Sequence, residues 1–441
     1  MAKKYDVIVV GAGPAGLMAA RTAGENGVEV ALLERKTNIV RVRRSDGGGL
    51  DVKEYSFGQI VQYNQRDKRL CFPVSGFTVP YDGPLNNMYG FQIHSPGGRR
   101  ILFGDWEEVK RKGDEVRAGI ALNKEIMLEG LLKEAEAFHV EIFPGTNVTD
   151  IKKVGDTVQV EGGGRSFEGT FVIAADGINS RIARILGVNK ERTFSGTLID
   201  VSWTVEGEIP CDPGSFNFIL AENGTFYVVP TYQEGVYHVG TFTFKNTLDL
   251  NAVLERFTRE HKTYASWFKK VKKVGVSCCV GNELAPLKEP FKDNVLFIGD
   301  AAWVREFSNM AALSAGWKAA HAITQALFDQ KFDKEGISTY LRWWEEHIYG
   351  PHGKLEQLPA PDLLQNFLSG DEIDYLISLV KKPLPATMSF YTFFTQIGRV
   401  FAELFPTIEK ERPEIMAKML EIRTRLDEIS GEQRKLGFPN R

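Results

Sequence analysis

Tyr5-Asp6-Val7-Ile8-Val9-Val10-Gly11-Ala12-Gly13-Pro14-Ala15-Gly16 opens the chain, and the unit it begins closes at Glu34. An apolar run breaks at a glycine turn, continues as a helical pattern to Gly27, and resumes as Val28-Glu29-Val30-Ala31-Leu32-Leu33 before the acid. Strand, turn, helix, strand and terminal carboxylate, in that order, are what a dinucleotide-binding βαβ unit requires. Gly11 lets the chain turn sharply out of the strand, Gly13 lets backbone approach a pyrophosphate, and Gly16 lets the helix pack closely on the sheet. The helix N-terminus offers N–H groups and partial positive charge to the phosphates, and Glu34 can accept the two hydroxyls of an adenosine ribose.

Outward from this unit the chain is long, 441 residues, so two or three packed units are expected rather than one core. A formal charge of -3 gives no reason to expect a nucleic-acid partner. Cys71, Cys211, Cys278 and Cys279 lack metal-ligand spacing, so no metal centre is predicted, and the adjacent Cys278 and Cys279 are expected to be small buried residues. The first strand begins at the fifth residue, leaving no room for a signal peptide, and no run reaches the ~20 apolar residues of a membrane span. A cytoplasmic location is the expectation.

The pattern alternates along the chain. Arg41-Val42-Arg43-Arg44-Ser45-Asp46-Gly47-Gly48-Gly49-Leu50 is a basic, glycine-rich loop suited to passing a phosphate and a flat ring. Ser95-Pro96-Gly97-Gly98 separates two alternating strands, a hairpin pattern that starts a separate antiparallel sheet. A helix is predicted from Ile126 to Ala137, then short strands to Ala175, of which only Thr170-Phe171-Val172-Ile173-Ala174-Ala175 is apolar enough for burial on both faces. From Gly196 to Gly281 the chain is β-rich and aromatic with one helix, Leu250 to His261. The buried-strand style returns at Asn294-Val295-Leu296-Phe297-Ile298-Gly299-Asp300-Ala301-Ala302, followed by a long helix. Beyond Trp343 the chain reads as helical.

The GAGPAG unit with Glu34, the segment Ala174-Ala175-Asp176-Gly177-Ile178-Asn179-Ser180 and the segment Gly299-Asp300-Ala301-Ala302 resemble, in order and spacing, the FAD-dependent oxidoreductases of the p-hydroxybenzoate hydroxylase and geranylgeranyl reductase type. The hairpin at Ser95-Pro96-Gly97 is similar to the reductase branch. The resemblance implies an α/β fold, with a Rossmann-like FAD-binding domain of the glutathione-reductase type interleaved with an antiparallel β-sheet substrate domain, plus a C-terminal helical region. The expected boundaries are 1–73, 116–190 and 286–345 for FAD binding, 74–115 and 191–285 for the substrate domain, and 346–441 for the helices.

It further implies FAD as cofactor and NAD(P)H as a candidate electron donor. The cofactor-binding set is Gly11, Gly13, Pro14, Ala15, Gly16, Glu34, Arg35, Arg44, Ser45, Lys124, Val148, Asp176, Gly177, Gly299, Asp300, Met310, Ala311 and Ala312. Asp300 is similar to the aspartate that binds the ribityl chain, and the following helix would direct its dipole at flavin N1 and O2. Lys124 stands where relatives usually carry an arginine.

Departures from the family pattern lie around the flavin. Trp303 and Arg305 crowd a segment relatives keep bare, and Ser45 replaces the cysteine of a Cys-Gly-Glu-Gly loop, which argues against a thiol-dependent step. Thr225-Phe226-Tyr227-Val228-Val229-Pro230 keeps only the proline and one aromatic of the reductases' aromatic-x-Trp-x-Phe-Pro signature. No catalytic acid is assigned. Ser45, His94, Tyr227, Trp303 and Arg305 are the pocket candidates, with Phe226, Tyr232 and Tyr237 as further wall aromatics.

Three functions compete. The first is hydride transfer at flavin N5 that reduces or forms a carbon–carbon double bond on a large apolar, isoprenoid or polycyclic substrate. The second is an NAD(P)H- and oxygen-dependent aromatic monooxygenase. The third is a flavin electron-transfer protein docking a redox partner through Trp343-Trp344 and Phe390-Tyr391-Thr392-Phe393-Phe394, a stretch that could also touch a membrane surface.

Overall fold

The computed structural model describes residues 3–46, 48–52, 60–221, 224–244, 249–303, 309–352, 365 and 367–422. Its organising layer is an eight-stranded sheet nucleated by Lys4–Val10, whose last four residues are all buried. That strand runs parallel to Val30–Glu34 on one side and to Arg165–Ala174 on the other. Continuous apolar sequence is needed here because helices cover the sheet, so both faces of each strand are dry.

Arg165–Ala174 explains how the sheet survives interruption. Its second edge is shared by two elements, with Val158–Gly162 antiparallel along its first half and Val295–Phe297 parallel along Val172 to Ala174. The segment from 175 to 294 therefore leaves the sheet and returns beside the strand it left. The apolar run from Thr170 is the second half of this longer strand, which ends at Ala174.

The first helix, Pro14–Glu25, begins with Pro14 in the first turn, where its missing N–H costs nothing. It packs against the long helix Asn309–Phe328 at glycine range. A Cβ on Gly316 would lie 2.2 Å from the Ala15 carbonyl oxygen, and one on Gly16 would lie 1.8 Å from that of Gly11.

The second layer is a seven-stranded sheet in the order 271–284, 194–207, 236–243, 224–230, 215–221, 90–94, 100–102. It is mixed rather than wholly antiparallel, because Gly90–His94 pairs parallel with Ser215–Ala221. The hairpin arrives more than a hundred residues ahead of its neighbour, so no tight turn forces the two strands to oppose. One face packs on the helix Leu250–Glu260 through Trp203, Val205, Phe226, Val228, Tyr237 and Val239. Toward its 90–102 edge the opposite face meets the C-terminal helices, where Phe91, Phe103 and Phe393 form a cluster with ring separations of 4.8 Å from Phe393 to each of the other two.

A three-stranded sheet joins Gly49–Asp51, Gly119–Leu122 and Leu85–Met88, crossing the boundaries expected at 73 and 115. Trp343, Trp344 and Phe393 are buried, the core-packing alternative to a contact surface for a partner or membrane. Among the described residues no helix is long and apolar enough to cross a membrane. Cys278 is exposed and Cys279 half-buried, contrary to the expectation of burial, because their strand lies at the sheet's edge.

Candidate functional site

The glycine turn carries a geometry that separates protein from ligand requirements. Gly11 has φ +101°, and a Cβ there would lie 2.3 Å from the Ala175 carbonyl oxygen, so the fold itself demands glycine. Gly13 is different. Its backbone is extended, at φ -77° and ψ -176°, and a Cβ would meet no atom within 4 Å. The protein leaves that space open at the positive end of a twelve-residue helix. Glu34 is buried below it, accepting from the Ala12 N–H at 2.7 Å and the Lys36 N–H at 2.8 Å.

Burial holds the Lys36 ammonium below its ordinary value, Glu34 opposing the shift and Arg35, Arg44 and Lys124 adding to it, and its Nζ donates to the Ile39 and Arg41 carbonyls. The open space at Gly13 before the helix N-terminus fits a dinucleotide pyrophosphate. Arg35 itself is exposed.

Deeper in, four charges balance. Lys124 pairs with Asp46, and the Arg44 guanidinium lies 3.6 Å from the Asp300 carboxylate. Asp46 is held below the usual carboxylate range because, against the cost of burial, Lys124 and Arg44 stabilise its charge. Burial pushes Asp300 upward despite Arg44 and Lys124. Lys124 starts its helix behind Asn123, whose side chain caps the first turn, so the cation's position is set by a capped helix end.

The loop carrying Arg44 is stapled to the second sheet. Arg44 bridges Cys278, the Ser45 N–H donates to the Cys278 carbonyl at 3.3 Å, and the Ser45 and Ser277 hydroxyl oxygens are 3.3 Å apart. On that sheet the Tyr227 hydroxyl donates to Asp200 Oδ2 at 2.8 Å. Phe216 and Phe242 flank the Tyr227 ring at 6.1 and 6.5 Å.

Other expected residues lie elsewhere or do other work. Asp176 accepts from the Ser180 hydroxyl at 2.6 Å and the Arg181 N–H at 2.7 Å, so it caps a short helix while Gly177, φ +84°, faces open space. Val148 is buried, its carbonyl taken by Arg181. Met310, Ala311 and Ala312 form the first turn of the long helix, with the Met310 side chain fully buried. Trp303 is packed in the core of the first sheet, and Arg305 lies outside the described residues.

His94 is not in this cluster. It faces the other side of the second sheet, bonded to Asn217 at 3.1 Å between Tyr264 and Trp267, and burial pushes it down to about 4. Phe226 and Tyr237 share that far face, and Tyr232 accepts from Asn123 Nδ2.

Sequence reasoning missed Asp46, Asp200 and Arg192. The last is buried and donates to the carbonyls of Ala285, Ala301 and Ala302 and to Asn189, fixing the turn after Asp300. A charged residue at an inward position of an apolar strand was the available signal for Asp200.

Residues 4–50 match the profile of an FAD binding domain, and residues 115–330 that of FAD dependent oxidoreductases. Digeranylgeranylglycerophospholipid reductase 2 of Methanosphaera stadtmanae is 26% identical over 382 residues, 84% of this chain and 89% of the relative. Digeranylgeranylglycerophospholipid reductase of Thermoplasma volcanium is 25% identical over 438 residues, 93% of this chain and 99% of the relative. In structure, a geranylgeranyl bacteriochlorophyll reductase-like protein of Thermoplasma acidophilum superposes with a TM-score of 0.68 at 19% identity, covering 96% and 100% of the two chains. A p-nitrophenol 4-monooxygenase of Pseudomonas putida gives 0.58 at 18%, covering 86% and 94%. The fold is thus shared by reductases and hydroxylases, while the near-full-length sequence relatives carry reductase names, which does not favour the monooxygenase and electron-transfer alternatives. The chain is an FAD-dependent oxidoreductase, an enzyme with FAD as cofactor, and its near-full-length sequence relatives are those of the geranylgeranyl reductase branch.

Proposed function

We propose that this enzyme reduces carbon–carbon double bonds in the isoprenoid chains of a lipid. The observation that carries the reading is the alignment with digeranylgeranylglycerophospholipid reductases over 84% and 93% of the chain. Reduced FAD supplies the hydride, at its N5 atom.

The chain's own residues have distinct tasks in this reading. Gly13 and the N-terminus of the helix Pro14–Glu25 receive the pyrophosphate, Glu34 takes the adenosine ribose, and Asp300 takes the ribityl chain. Arg44 and Lys124, each paired with a carboxylate, form a charge-balanced cluster that would border the bound cofactor. Arg192 fixes the carbonyls behind Asp300. The aromatic row Phe216, Tyr227 and Phe242 offers an apolar wall to an isoprenoid chain and excludes water from it. Electrons enter from NAD(P)H or from a reduced redox protein; the single βαβ fingerprint supplies no separate nicotinamide domain.

Anaerobic incubation of dithionite-reduced enzyme with digeranylgeranylglycerophospholipid in detergent tests the proposal. The lipid should gain one hydrogen molecule per reduced bond. Unchanged lipid, with flavin reoxidised only when air is admitted, would overturn it in favour of the monooxygenase reading.

A further inference from the structure

The polar row on the second sheet has no assigned task. Asp200 and Ser202 lie on the strand Phe194–Gly207, whose intervening residues Val201, Trp203 and Val205 turn to the helix Leu250–Glu260. Asp200 and Ser202 therefore face the opposite side, toward the loop that bears Arg44 and Ser45. Tyr227 reaches Asp200 from two strands away, across Gly240, which is registered with both Ser202 and Tyr227. A Cβ on Gly240 would lie 2.3 Å from the Tyr227 hydroxyl oxygen and equally close to Cζ. The glycine is a slot in which the phenol ring lies flat.

The pair is incompletely satisfied. Asp200 Oδ1 and Ser202 Oγ are buried without a well-formed hydrogen bond, although the Ser45 hydroxyl lies near enough to Asp200, and Ser202 near enough to Tyr227, to favour the charged forms. A buried carboxylate with one orphan oxygen is costly, whereas a carboxylic acid tolerates it. Arg44 and Ser45 are consecutive, so the Asp300 turn of the FAD half and the Asp200 row lie on either side of one dipeptide.

Resting on the reductase reading, we infer that Tyr227 and Asp200 are the proton source of the reaction, with Tyr227 facing the reacting double bond and Asp200 acting through it. As the π bond breaks, one carbon accepts the hydride and its electron pair from reduced FAD, which is oxidised by two electrons. The other carbon takes the proton of the Tyr227 hydroxyl. Asp200 returns a proton to the tyrosine oxygen, ends as a carboxylate that accepts the Tyr227 hydroxyl, and regains its proton from solvent.

Burial shifts both groups toward their neutral acid forms. Burial raises the Asp200 carboxyl against the pull of the Ser45 and Tyr227 hydroxyls, and burial, then Asp200, raises the Tyr227 hydroxyl well above its ordinary value. The groups around the pair are Ser202 on its own strand, Ser277 and Cys279 on the edge strand, Phe242 and Gly240 on the strand between, and the loop residues Arg44, Ser45 and Asp46 with Asp300 behind them. Burial keeps Cys279 protonated as well, and His238, farther along the central strand beside Thr204, is held neutral by burial.

Infrared difference spectra of the FAD-loaded protein at pH 7, parent minus Asp200→Asn, should contain a protonated-carboxyl band. Its absence would show Asp200 ionised and overturn the relay, whatever the substrate proves to be. In anaerobic single turnover of the reduced enzyme with the lipid, Tyr227→Phe should lose about 100-fold or more in rate, the usual scale for a general acid. Asp200→Asn should flatten the fall in rate that the parent shows as rising pH removes the proton from Asp200. FAD stoichiometry and thermal unfolding confirm that each variant is folded. A Tyr227→Phe enzyme with the parent rate overturns the proposal. A parent that shows the band but reduces no lipid overturns the reductase reading instead, and the two failures are distinct.

Discussion

Gly11 and Gly13 look alike in sequence, and alanine at each should fail in a different way. At position 13 the backbone angles are open to any residue and a Cβ meets nothing within 4 Å. The stripped Gly13→Ala protein should therefore match the parent within about 0.5 kcal/mol. With FAD bound, the methyl takes space intended for the pyrophosphate, and overpacking by one methyl costs about 1–3 kcal/mol. Affinity should fall roughly 5- to 150-fold. At position 11 the new methyl would sit 2.3 Å from the Ala175 oxygen in a residue with φ +101°. Overpacking of about 1–3 kcal/mol adds to about 1–2 kcal/mol of left-handed strain, so Gly11→Ala should lose stability without any ligand. Thermal unfolding of the stripped proteins and FAD titration by fluorescence quenching separate the two. A Gly13→Ala protein that binds FAD as tightly as the parent would refute the placement of the pyrophosphate.

Asp46→Asn strips Lys124 of its partner between side chains only 11% and 15% exposed, and should cost about 3–5 kcal/mol by urea unfolding at pH 7. Because Asp46 is held below its ordinary value, its stabilisation is present above that value and lost as pH falls beneath it, so the variant should show a shallower acid decline than the parent. Arg192→Lys leaves three donors for four oxygen partners and should cost about 2 kcal/mol, with a lower flavin-to-protein absorbance ratio as the turn after Asp300 loosens. Gly316→Ala gains about 1 kcal/mol of helix propensity but drives a methyl to 2.2 Å from the Ala15 oxygen, an overpacking of about 1–3 kcal/mol. Chemical unfolding should show net loss, and a stabilised variant would contradict the close approach of the two helices.

The cofactor half was legible because its signals are local. The turn at Gly11 to Gly16, the acid at Glu34 and the strand ending at Asp300 each declare themselves within a few residues, since a tight turn or strand end restricts residue type directly. The proposed reaction face is built from register. Asp200, Tyr227 and Gly240 come from three strands, and nothing in any one of them predicts that a glycine slot lets a phenol cross to a carboxylate. Parity could have removed His94, since Phe91 and Ile93 occupy the face toward the C-terminal helices and His94 must turn away. Asp46 was hidden in a loop whose positive charges drew attention, although burying Lys124 required a carboxylate nearby.

In the proposed reaction reduced FAD reduces isoprenoid double bonds held against the aromatic and acidic face beside the Arg44 to Asp46 loop. Mass spectrometry of digeranylgeranylglycerophospholipid after a single anaerobic turnover of the dithionite-reduced enzyme tests it most directly. The expected result is one hydrogen molecule added per reduced bond together with return of the oxidised-flavin spectrum without oxygen. Lipid of unchanged mass beside flavin that stays reduced until air enters would contradict it.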